Sequence, residues 1–256
     1  MFAEAQTFFS KVVWDQKGTF KELMTAPYTY ADATVAAIYG SAAPASDGRL
    51  TLDPKQRAGF LTSASMLVQT AAPSQAATVI HRGLLVRERI LCETPPPPPP
   101  DVMRDPAQIQ QAGDNATAKE NYELFKMSKP SCNGCHQFFQ PLGLPFESYD
   151  ALGKFRTSYP SGKAVVTTGT LNDAGDADGA FNDVVDMAKK LGPSEIGQYC
   201  FTEQFAQFAY GRPMSFDQEA CTLRSMGDYV IGKSGQVTQL FVSLATAPNA
   251  FQRFHQ

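Results

Sequence analysis

Pro130-Ser131-Cys132-Asn133-Gly134-Cys135-His136 is the stretch on which the reading of this chain turns. Two cysteines two residues apart, followed at once by histidine, have the spacing of covalent haem attachment. Each thiol adds across a vinyl group, and the adjacent imidazole reaches the iron. Other chemistries use a Cys-x-x-Cys alone, as a redox dithiol or as half of a zinc site. Zinc needs a second half, commonly another close Cys/His pair, and here Cys92, Cys200 and Cys221 stand singly, with His81 far from His255. The pattern predicts one covalent haem c bound by Cys132 and Cys135, with His136 as the proximal iron ligand.

Working outward, Ala118 to Met127 reads as a helix leading into the motif. After it come Phe138, Phe139, Leu142, Leu144, Phe146, Tyr149 and Phe155, able to cover a porphyrin or to form an ordinary core. A ligating imidazole generally donates its second N–H to a fixed acceptor, and the carbonyl of Pro141, in a Pro-Leu-Gly turn, is the expected one. Arg156 is the preferred partner for a haem propionate. The charges of the helical segment Val79 to Cys92, among them Arg82, Arg87 and Arg89, read either as a solvated face with intrahelical pairs or as a further propionate contact. Met214, in the turn Arg212-Pro213-Met214, is the first choice for the sixth iron ligand. Met187 and His81 are the alternatives, Met187 inside a helical pattern and His81 only if the N-terminal part folds over the haem.

The fold class is mainly α. A helical N-terminal module is expected over residues 1–94 and a polyproline strut over 95–100, reaching roughly 19 Å at about 3.1 Å per residue. A haem module follows over 101–191 and C-terminal helices over 192–256. Ala164 to Leu171 is the most strand-like segment, a small β-hairpin, and the Asp-rich run 172–179 lacks the spacing of a calcium loop and reads as a solvated turn. Cys200 and Cys221 fall on consecutive helices, and a disulfide between them is expected where geometry allows.

The net charge of −3 over 256 residues gives no broad basic surface, which argues against a nucleic-acid partner. No apolar run approaches the roughly 20 residues needed to cross a bilayer. Haem attachment through thioethers takes place outside the bacterial cytoplasm, so the motif predicts a periplasmic or extracellular protein. The opening Met1-Phe2-Ala3-Glu4-Ala5-Gln6 lacks the basic start, apolar centre and cleavage site of a signal peptide, so the leader is expected to lie outside this sequence.

These residues together resemble the large multidomain cytochrome-c-like proteins of planctomycetes and myxobacteria, whose domains are mostly described as of unknown function. The resemblance runs from Phe8-Phe9 and Tyr28-Thr29-Tyr30 through His81 to Cys92, the proline run, Cys132 to His136, Pro141 to Asp150 and Ala209-Tyr210-Gly211-Arg212. It implies an exported, predominantly helical protein with a cytochrome-c-like haem module, and more chain upstream of Met1. Cys200 and Cys221 sit where related sequences can carry cysteines. The expected function is electron transfer through the haem to a redox partner protein or within a larger extracytoplasmic complex. Two alternatives stay open: an open-site, peroxidase-like haem oxidoreductase, and a structural subunit with haem as a staple.

Overall fold

The computed structural model describes residues 1–41, 43–96, 112, 113 and 115–247. It is mainly α-helical, with two small antiparallel strand pairs. Helix α1 (Phe2–Ser10) continues as a π-helical turn, Lys11–Asp15, and α2 spans Phe20–Thr25. The Thr19 hydroxyl starts α2 by accepting the Glu22 amide, and Asp32 does the same for Val35 in α3 (Ala33–Tyr39). Between them lies a strand that periodicity did not announce. Tyr28–Tyr30 (β1) pairs with Arg49–Thr51 (β2), Thr29 opposite Leu50, with the Arg49 guanidinium 4.1 Å from the centre of the Tyr28 ring. Its partner is only three residues long and lies beyond a helix and a loop, so no local pattern marks the pair.

Helices α4 (Ala64–Gln69) and α5 (Gln75–Leu84) follow, and α5 runs into a second π-helical turn, Leu85–Ile90. Residues 97–100 of the expected polyproline strut lie outside the described residues. The chain is described again through α6 (Ala118–Ser128), α7 (Pro130–His136) and the short α8 (Gln140–Gly143). The strand-like segment yields β3 (Gly169–Leu171), paired antiparallel with β4 (Gly179–Phe181) across the Asp-rich turn. That turn is more than solvated polar chain, because Asp176 accepts the Glu195 and Ile196 amides and so caps α10. Helices α9 (Val184–Leu191), α10 (Glu195–Tyr210), α11 (Phe216–Ile231) and α12 (Gln239–Thr246) complete the fold.

One hydrophobic cluster joins segments from both sides of the proline run. Met24, Leu61, Leu67, Val86 and Ile90 pack with Leu142, Phe146, Leu171, Met187 and Leu191. The two ends of the described chain also meet: Phe20 N–H donates to Gly235 O at 2.9 Å and Val237 N–H to Gly18 O at 3.0 Å. Val12 and Leu23 share a second cluster there with Val230 and Leu240.

The disulfide differs from the expected pair. Cys200 on α10 is bonded to Cys92, with Cα atoms 5.3 Å apart, and Cys221 is a free, exposed thiol on α11. Consecutive helices suggested Cys200 and Cys221, but α10 also packs against the π-helical turn that ends beside Cys92. This contact between distant segments brings Cys92 to Cys200.

Candidate functional site

The motif is carried on a platform made by α5. Helices α5 and α8 cross at two glycines, where Gly83 lies against the Phe139 carbonyl and Gly143 against the Val79 carbonyl. Only a missing Cβ allows two backbones to come this close. Two arginines of α5 and its extension then hold the chain on either side of the crossing. Arg82, fully buried, donates to the carbonyls of Phe146 (2.8 Å), Tyr149, Leu67 and Asp150 (3.3 Å each). Arg87, 4% exposed, donates through Nε to Phe138 O (2.6 Å) and through Nη1 to Glu93 (2.6 Å). Neither is a solvated helix charge or free for a propionate, as the sequence reading had it. Their fork-shaped donors satisfy backbone carbonyls of the loop that follows the motif. Burial brings the Arg82 guanidinium down to about 10, which leaves it charged at neutral pH.

Helix α6 brings in the motif from the other side. It begins with a capping box in which the Thr117 hydroxyl accepts the Glu120 amide and the Glu120 carboxylate accepts the Thr117 amide. Its partly buried face grips α7: the Tyr122 hydroxyl donates to Asn133 Oδ1 at 3.2 Å, inside the Cys-x-x-Cys, and Phe125 lies against His136. Pro130 opens α7 at a position where its missing N–H costs nothing. Cys132 and Cys135 come one turn apart on this helix, both half-buried and both unpaired.

The His136 imidazole sits between the rings of Phe125 and Phe139, with centroids 4.7 and 4.9 Å away. This apolar setting pushes its pKa down, against a hydrogen bond with Gln140 that raises it, so the ring is neutral at neutral pH. The hydrogen bond joins Nδ1 to Gln140 Oε1 at 3.2 Å. The expected acceptor, the Pro141 carbonyl, is replaced by the side chain one residue earlier. Although Gln140 lies four residues after His136, the helix breaks over 137–139, so its approach depends on how α8 is seated rather than on an i,i+4 offset along one helix.

The other expected residues are placed elsewhere. Arg156 is committed to the buried Glu147, donating through Nε to its carbonyl (2.7 Å) and through Nη2 to its carboxylate (2.9 Å). It also stacks over Tyr159, so its role is that of a counterion within the loop. Met214 packs with Ala206, Leu223 and Met226 among the C-terminal helices, and Met187 is fully buried in the main core. Neither cluster contains Phe125 or Phe139, the neighbours of His136. His81 is exposed on α5.

The residues present fit a covalent haem c. The two thiols are reachable and share a helix turn, in contrast to the cysteines tied in the disulfide. The imidazole engages the protein through Nδ1, and among the described residues no hydrogen bond uses Nε2. Apolar side chains beside the motif are left in water, with Met127 73% and Phe138 41% exposed. An open cleft of about 700 Å³ runs along α6, with Leu124, Met127, Ala164 and Val166 in its wall and Lys119, Glu120, Glu123 and Lys163 among its polar lining.

Residues 57–159 match the family model PSCyt3, described as a protein of unknown function (DUF1588), and residues 1–41 match PSD4, described as a protein of unknown function (DUF1592). Two such models in succession along one chain fit the multidomain family that the sequence resembles, and neither description states an activity. No curated protein and no solved structure matches the chain.

Proposed function

We propose that the chain is a monohaem c-type electron-transfer module, with haem c held by thioethers from Cys132 and Cys135 and His136 as its proximal ligand. The observation that carries this reading is the arrangement on α7 and α8: two free, reachable thiols one turn apart, followed by a neutral imidazole anchored through Nδ1. When bound, haem supplies a one-electron couple.

The chain's own residues then have distinct tasks. Phe125 and Phe139 cover two sides of the imidazole and leave it partly exposed. Arg82 and Arg87 fix the loop from Phe138 to Asp150 to the α5 platform, and Tyr122 fixes the turn between the two cysteines. Because α7 is only partly covered, a group held there would be within reach of a partner protein. The disulfide supports an exported protein, since such bonds persist in oxidising compartments. Among the described residues no helix is long and apolar enough to cross a membrane.

A second reading is favoured by the methionines. With Met214 and Met187 packed into other cores, an open sixth position would suit a peroxidase-like oxidoreductase. The test is an absorption spectrum of exported protein, oxidised and then reduced, beside a Cys132→Ser/Cys135→Ser variant. Sharp ferrous bands and a pigment that survives denaturation, lost in the double variant, are expected. A wild-type chain without covalent haem would overturn the proposal, and a high-spin ferric spectrum responsive to peroxide would select the second reading.

A further inference from the structure

We propose that Gln140 is the positioning residue of His136: its side-chain carbonyl accepts the Nδ1–H and holds the imidazole in the tautomer that leaves Nε2 for the iron. This rests on the haem reading of Cys132 to His136. A neutral imidazole carries one donor and one acceptor nitrogen, and a carboxamide oxygen can only accept. At 3.2 Å from Oε1, Nδ1 is therefore the donor. The rings of Phe125 and Phe139 on either side supply no acceptor that would compete.

The position of Gln140 is not left to its own rotamer preferences. It is buried, 6% exposed, and stands at the first residue of α8, the helix locked onto α5 by the Gly83 and Gly143 contacts. The crossing that seats the loop therefore also sets where Oε1 stands relative to the ring. Second-sphere partners of metal-bound histidines fix orientation and tune basicity. An uncharged amide withdraws less of the proton than a carboxylate would, which gives the site an intermediate setting between an apolar neighbour and an acidic one.

The test uses the full-length chain, first without haem. Nitrogen-15 spectra of labelled histidine should show His136 as the Nδ1–H tautomer. Gln140→Leu and Gln140→Met should both move the tautomer ratio by about fivefold or more towards Nε2–H, the worth of one hydrogen bond. Gln140→Glu should keep Nδ1–H. In the haem-loaded chain, Gln140→Glu should lower the reduction potential and the Leu and Met variants should raise it. A wild-type Nε2–H tautomer, or one potential shared by all four proteins, would overturn the assignment. A wild-type chain that takes up no haem overturns the reading on which the iron role rests, while the tautomer measurement still decides the Gln140 contact.

Discussion

Gly83 and Gly143 are packed backbone to backbone where α5 crosses α8. A Cβ on Gly83 would overlap the Phe139 carbonyl, its carbon only 2.7 Å away, and one on Gly143 would overlap the Val79 carbonyl, whose carbon is 2.8 Å away. Backbone atoms cannot move aside as a flexible side chain can. Gly83→Ala and Gly143→Ala should each lower stability by about 1–3 kcal/mol or more in denaturant titrations. Gly134→Ala, with nothing within 4 Å, should leave stability unchanged or raise it by about 0.5–1 kcal/mol through helix propensity. Equal effects at Gly83 and Gly134 would refute the crossing.

The disulfide closes a separation of 108 residues and ties the segment before the proline run to α10. Cys92→Ser and Cys200→Ser should each cost about 2–5 kcal/mol in oxidised protein. Cys221→Ser should cost little, because its side chain is exposed and unpaired. Peptide mapping of non-reduced protein checks the pairing directly, and a Cys200–Cys221 peptide would refute it.

Arg82 serves four carbonyls from one buried guanidinium, so a lysine in its place cannot reproduce the fork. Arg82→Lys should lower stability by at least about 2 kcal/mol, because buried acceptors are left without donors. The exposed Arg89, seven residues on, is the control. Arg89→Lys should leave the unfolding midpoint where it is.

Glu4 is buried against Tyr39 and Thr29 and accepts both hydroxyls on Oε1. Burial raises its pKa more than these bonds lower it. Its contribution is therefore fully present below the ordinary carboxylate range and is lost as pH rises through the folded-state value. Glu4→Gln keeps an acceptor for both hydroxyls but cannot ionise. The wild type should lose stability relative to this variant as pH rises from 4 towards neutrality, with the difference levelling off above the folded-state pKa. A difference that does not vary with pH would show that Glu4 does not titrate in this way.

The sequence by itself determined the local features of this protein. The helical class, the helix that leads into the motif from Ala118 and the motif from Cys132 to His136 all rest on periodicity or spacing within a few residues. What it could not carry was any choice among equivalent distant partners. Three cysteines offered one disulfide, and the packing of α10 on the π-helical turn beside Cys92 chose the pair. Arg82 and Arg87 read as surface charge or propionate contacts, and Arg156 as a propionate partner. Tertiary burial gave the first two to backbone carbonyls, with Arg87 also paired to Glu93, and gave Arg156 to Glu147. Likewise His136 needed an acceptor, and the seating of α8 on α5 supplied Gln140 where the sequence suggested Pro141. The physical reason is common to all three. A hydrogen-bonding group or thiol states what kind of partner it needs, but which partner it meets depends on where two remote backbones can approach, and here two missing Cβ atoms set one such approach.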